Sequence, residues 1–221
     1  MSRPIQSTRT FRCTECCVVT FALLIAGLAI RATAAPPAVQ SGDVDTAQSV
    51  IYVFIGKTGL GHEHAAEGKL VSGTVHLGAK ESAGELVFDM KSFVTETPAS
   101  RKHVGLEGEV GSSTADQVTA SMKGHAVLNV AKFPQSRFVI DSALPGKQSG
   151  EFSLSGKLTL RGVTRPLQID VTSEDAKGMV HLRGQFSLVQ SQYGIKPYRK
   201  AFGTVGVADE LKIWGELWLA K

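Results

Sequence analysis

The tract from Gly150 to Val171, GEFSLSGKLTLRGVTRPLQIDV, leaves this chain few architectures to choose from. Phe152, Leu154, Leu158 and Leu160 fall on one parity, and Glu151, Ser153, Ser155, Lys157 and Thr159 fall on the other. A period of two describes a strand with one buried face. The RGVTRP segment then supplies the glycine and proline of a tight connection, with Pro166 placed at the start of the next strand, where no ladder N–H is needed. Leu167, Ile169 and Val171 resume the alternation against Gln168 and Asp170. Two long strands and a short turn make an antiparallel hairpin.

The same rhythm recurs along most of the chain. Ser49 to Ile55 is rich in β-branched and aromatic residues and reads as a first buried strand. Glu67 to Leu77, Glu85 to Met90, Phe138 to Leu144, Met179 to Gln190 and Asp209 to Lys221 follow, the last with Leu211, Ile213, Leu217 and Leu219 on one face. Between residues 92 and 135 the alternation stops. There Ala115, Val118 and Met122 share a helical face behind a Ser113 or Thr114 cap, and Gly124 closes the segment, which predicts one short helix in a long connection. Such a connection is expected to cover an opening. About eight antiparallel strands on sequential hairpins favour a closed up-and-down barrel, because closure removes exposed edges; a β-sandwich is the competing architecture. An eight-stranded barrel has an interior wide enough for one small ligand. The inward parity is expected to include Phe138, Ile140, Leu158, Leu160, Phe186 and Leu188.

The N-terminus has the three regions of a secretory signal peptide: Arg3, Arg9 and Arg12, an apolar run from Val18 to Ile30, and a small-residue site at Ala32-Thr33-Ala34. The run is 13 residues long, against the about 20 that a spanning helix needs. We expect export with cleavage near Ala34, a flexible lead-in over residues 35–44, and a barrel domain over 45–221. Cys13, Cys16 and Cys17 all precede the run, so the expected mature chain has no disulfide and relies on its own core. Its 20 basic and 19 acidic groups nearly balance, which gives no footprint for nucleic acid.

Catalytic motifs are wanting. The chain has no GxSxG elbow and no HExxH; Gly59-Leu60-Gly61 lacks the third glycine of a dinucleotide fingerprint, and Gly68-Lys69-Leu70 lacks the frame of a phosphate loop. We therefore expect no enzyme activity and no cofactor. His62 and His64 are two apart, so in extended backbone both imidazoles point the same way. They are candidate zinc or copper ligands, with His76, His103, His125 or His181 as a third, and the basis of an alternative reading as a metal- or haem-associated redox or stress accessory. The bland alternative is one histidine bonded at the barrel rim and the other in solvent. Tyr193, Lys196, Tyr198 and Arg199, with Lys200, form a second cluster that suits an anionic head group at a barrel mouth, or else an ordinary solvated loop.

The hairpin sequence LTLRGVTRPLQIDV resembles the signature hairpin of the YceI-like family, lipocalin-like barrels also called polyisoprenoid-binding proteins. Asp45 with Ser49-Val50-Ile51 is similar to that family's opening, Val130 to Pro134 followed by Phe138 to its helix-to-strand segment, and Gly203 to Lys221 to its closing strand. The resemblance implies an eight-stranded periplasmic barrel that takes a long isoprenoid, quinone-like or polyprenyl lipid in its lumen. GLGHEH at 59–64 and the spacing over 92–125 depart from the family pattern, which points to a divergent branch. The partners left open are a long-chain lipid and a second copy of the chain; no membrane-spanning segment is expected.

Overall fold

The computed structural model describes residues 41–200, 202 and 204–221. The expected signal peptide lies outside the described residues. Eight long strands form one antiparallel sheet: β1 (Val50–Gly59), β2 (His64–Val75), β3 (Gly84–Thr95), β4 (Gln135–Pro145), β5 (Glu151–Leu160), β6 (Val163–Ala176), β7 (Met179–Val189) and β9 (Val205–Leu219), with a two-residue β8 (Arg199–Lys200) appended to β9. Consecutive strands pair in order, and β1 pairs with β9 from Val50↔Glu216 to Gly59↔Val205, closing the barrel. Among the described residues no helix is long and apolar enough to cross a membrane.

Two hairpin turns follow directly from local chemistry. Arg161 (φ 51°) and Gly162 (φ 78°) join β5 to β6, and Lys177 (φ 53°) and Gly178 (φ 78°) join β6 to β7. A two-residue connection with positive φ at both positions is the turn whose twist matches the flanking strands. Pro166 does not begin β6 as expected. The turn is only two residues long, so β6 starts at Val163 and Pro166 sits within it, opposite Lys157.

A proline fits there because β6 and β7 are joined along part of their length only. Their pairing runs from Val171↔Gly184 to Ala176↔Met179. Residues 163–170 of β6 pair with β5 alone, and residues 185–189 of β7 pair with β9 alone. The half of β6 that carries Pro166 is thus an edge, the setting in which a missing N–H is tolerated.

The barrel has a closed pole and a mouth. At the closed pole Val75, Ala83, Ile140, Ala143 and Leu219 are all at most 2% exposed. Here the expected flexible lead-in is fastened at its described end: Val44 bridges Leu219, Asp43 bridges Thr74, and Gly42 donates its N–H to the Ala220 carbonyl. At the mouth lies the long β3-to-β4 connection. It holds two helices, not one: α1 (Pro98–Val104), capped by Thr97 and ended by Gly105, and α2 (Ser112–Lys123). The expected Ser113 or Thr114 cap of α2 is not used; Gly111 takes that position without a side-chain bond, and Gly124 ends the helix.

Candidate functional site: the barrel lumen

The strand alternation produces a cavity of about 400 Å³ inside the barrel, open at the mouth. That volume lies within the about 300–1,000 Å³ typical of small-molecule sites. Phe138, Leu158, Leu160, Phe186 and Leu188 line it. Ile140 shares their parity but is fully buried one step nearer the closed pole, outside the lining. Among the described residues, neither aspartate, glutamate, lysine nor arginine lines the cavity.

Helix α2 stands across the mouth and contributes Thr114, Gln117, Val118, Ser121 and Met122 to the lining. These positions recur at the three- and four-residue spacing of one helical face. The helix is pinned to the end of β3 by a buried threonine. The Thr95 backbone N–H donates to Thr119 Oγ1 at 2.9 Å, and the Thr95 hydroxyl lies 2.9 Å from Thr119 Oγ1 and 3.2 Å from the Ala115 carbonyl. Val118 and Met122 turn inward as the helical period predicts. The three polar residues of the same stripe have no such partner in the sequence pattern, which is why they escaped notice there.

Beside the mouth, His64 at the start of β2 lines the cavity and places Nδ1 2.7 Å from Glu96 Oε1. Arg101 of α1 donates from Nη1 to Glu96 Oε2 at 2.6 Å. The rest of its guanidinium donates to the carbonyls of Gly108 and Glu107, so it also holds the α1-to-α2 loop. Glu96 is buried and sits at φ 62°, in the left-handed region that a residue with a side chain adopts only when its surroundings dictate it. Burial pushes its carboxyl up, but the hydrogen bonds from His64 and Arg101, with their charge, prevail and hold it below its ordinary value. Nothing in the sequence pattern marked Glu96; it follows a strand and precedes a cap, where spacing carries no signal.

The expected mouth cluster is split by the fold. Tyr193 is buried in a 3₁₀ turn (Gln190–Tyr193), where burial raises its phenol above the ordinary value. Tyr198 reaches the cavity rim and is half exposed. Lys196 and Arg199 are exposed and outside the lining, Arg199 opposite Gly206 in the β8–β9 ladder. The histidines diverge as well. His62 is exposed while His64 is engaged by Glu96. His103 stacks on Tyr52, and His181 bonds Glu216. Among the described residues no three His, Cys, Asp or Glu side chains come together as a metal-binding group. His62 and His64 are thus joined by no third such side chain among the described residues.

Comparison with known proteins bears on what this barrel is. A family model described as the YceI-like domain matches residues 43–217. The chain belongs to the YceI-like family. Two solved structures have the same fold: Burkholderia cenocepacia BcnA, at 16% identity and a TM-score of 0.53, covering 80% of this chain and 99% of that one; and a polyisoprenoid-binding domain from Saccharophagus degradans implicated in plant cell wall breakdown, at 13% identity and a TM-score of 0.56, covering 82% of this chain and 99% of that one. No curated protein matches. The family match spans both the hairpin and the lid segment, so the YceI-like assignment covers the β3-to-β4 excursion as well as the strands. Within that frame the lumen, the α2 stripe and the His64–Glu96–Arg101 cluster are features of this YceI-like chain's own residues.

Proposed function

We propose that this YceI-like protein is a non-enzymatic carrier or sequestering protein of the periplasm, exported through its N-terminal segment and cleaved near Ala34. It buries a long apolar ligand, isoprenoid, quinone-like or fatty, inside the barrel. The observation that carries this reading is the uncharged lining of the 400 Å³ lumen. Moving an apolar chain from water into such a space is worth about 0.8 kcal/mol per CH₂ before ordering costs are subtracted. The description of the Saccharophagus relative as polyisoprenoid-binding points the same way. In this reading Phe138, Leu158, Leu160, Phe186 and Leu188 contact the tail, Ile140 supports them from below, and Tyr198 meets the ligand at the rim.

The test is native mass spectrometry of untagged protein recovered from the periplasm, followed by solvent extraction. An adduct of several hundred daltons that extracts as a lipid supports the carrier reading. Bare protein that also takes up no isoprenoid or fatty lipid at micromolar concentration overturns it.

A further inference from the structure

We propose that the mouth of this lumen is a hydroxyl-selective head-group site, in which His64 Nε2 accepts a hydrogen bond from an uncharged alcohol or phenol on the ligand. The inference rests on the carrier reading and adds the chemistry of the ligand's polar end.

The argument starts from Glu96. An ionised carboxylate only accepts hydrogen bonds, so the 2.7 Å contact requires the proton on His64 Nδ1. Where the ring carries that one proton only, its second nitrogen is an acceptor, and its orientation is fixed by the bond on the other side, the way a carboxylate fixes a histidine tautomer elsewhere. Glu96 cannot drift away, because it is buried, Arg101 grips its other oxygen at 2.6 Å, and its own N–H donates to the Ala65 carbonyl at 2.8 Å. His64 lines the lumen, and among the described residues nothing bonds Nε2.

The polar groups that share the lumen lining with His64 are uncharged. Thr114, Gln117 and Ser121 of α2 line the same cavity, and their hydroxyl and amide groups both donate and accept. Of the other polar side chains in the lining, Thr95, Ser136 and Gln190 already bond within the protein. A phosphate or carboxylate head would bring acceptors to an acceptor, close to the buried Glu96 charge, with no lysine or arginine in the lining to compensate. A hydroxyl brings the matching donor. The cations expected to hold an anionic head, Lys196 and Arg199, stand outside the lining.

The experiment measures, at pH 8, the affinities of full-length mature protein for three probes with one tail: farnesol, farnesyl methyl ether and farnesyl phosphate. Farnesol is expected to bind roughly five- to tenfold more tightly than the ether, the worth of one satisfied hydrogen bond, and more tightly still than the phosphate. His64→Phe is expected to bind farnesol and the ether equally while keeping the tail affinity. His64→Gln, which retains an acceptor in a smaller side chain, serves if the aromatic variant does not fold, and is expected to retain part of the preference. Glu96→Gln gives a readout that a merely structural role would not move: its amide can donate to Nδ1, which puts the proton on Nε2, where alcohol and ether oxygens both accept, so the preference for farnesol over the ether is lost. Equal affinity for all three probes, tightest binding of the phosphate, or an undiminished farnesol preference in His64→Phe overturns the head-group site while leaving the carrier reading in place. Failure of all three to bind overturns the carrier reading and this inference with it.

Discussion

His64 and Glu96 are 32 residues apart in sequence and 2.7 Å apart in space, and their bond joins the start of β2 to the end of β3 at the rim of the lumen. Removing Glu96 takes away the only acceptor of the His64 ring among the described residues and the carboxylate partner of the partly buried Arg101, which keeps the Gly108 and Glu107 carbonyls. Glu96→Ala is expected to destabilise the protein by about 3 kcal/mol, in the manner of a broken buried ion pair, measured by urea denaturation. Loss of under about 1 kcal/mol would show that the cluster contributes position and little stability.

The same carboxyl sets an acid limit. Its folded value lies below the ordinary one, because the bonds from His64 and Arg101 outweigh burial. Its contribution is therefore fully present above the unfolded value of about 4.3 and is lost as pH falls through the lower folded value. Stability measured from pH 6 down to pH 3 is expected to fall more steeply below about pH 4.5 in the wild type than in Glu96→Gln, the two curves converging at the acid end.

Thr119 is the point at which α2 is pinned to β3. Thr119→Val preserves shape but deprives the Thr95 backbone N–H of its acceptor, at an expected cost of about 1–3 kcal/mol for a buried donor left unsatisfied. Because α2 lines the mouth, the variant is also expected to release a bound apolar probe faster than wild type, with stopped-flow dilution as the measurement. An unchanged release rate would remove α2 from the exit route.

Two substitutions separate wall from lumen. Ile140 is fully buried outside the cavity lining, so Ile140→Ala is expected to cost about 2–5 kcal/mol while leaving probe stoichiometry intact. Gly215 lines the cavity, and a Cβ there would meet only Ile51 Cδ1 at 3.7 Å. Gly215→Leu is expected to fill lumen volume and cut uptake at least tenfold with a change in stability under about 1.5 kcal/mol, compared by titration and thermal melting.

The partial join of β6 and β7 predicts uneven protection from hydrogen exchange. Amides of residues 163–170 that do not bond to β5 are expected to exchange orders of magnitude faster than those of β5 itself, which has ladder partners on both sides. Arg165 Nε donates to the Gln192 carbonyl at 2.7 Å and ties β6 to the 3₁₀ turn after β7. Arg165→Ala is expected to speed exchange there further.

The barrel was legible because long stretches of most strands keep a period of two between bulges, so Phe138, Leu158 and Phe186 could be placed on a common side from spacing alone. The β3 end was cut short at Met90 because Lys91 and Ser92 interrupt the pattern where the strand bulges against β2, and the pairing in fact continues to Thr95. Helix α1 was missed since seven residues hold too few turns to show a helical period; only Thr97-Pro98 and Gly105 bracket it. The polar site was the least legible part. His64 was visible as a histidine, but the partner that decides its role comes from Glu96, and no local pattern relates them. The neighbouring Tyr193 to Arg199 cluster was read as one unit from composition, whereas a 3₁₀ turn buries its first member and leaves the cations in solvent.

The fastening of Gly42–Val44 against Leu219 and Ala220 puts both flanks of the barrel sequence at the closed pole. Whatever is attached after Lys221 hangs on the side away from α2. A surface that captures the protein by its C-terminal end therefore presents the mouth outward, free to load and unload.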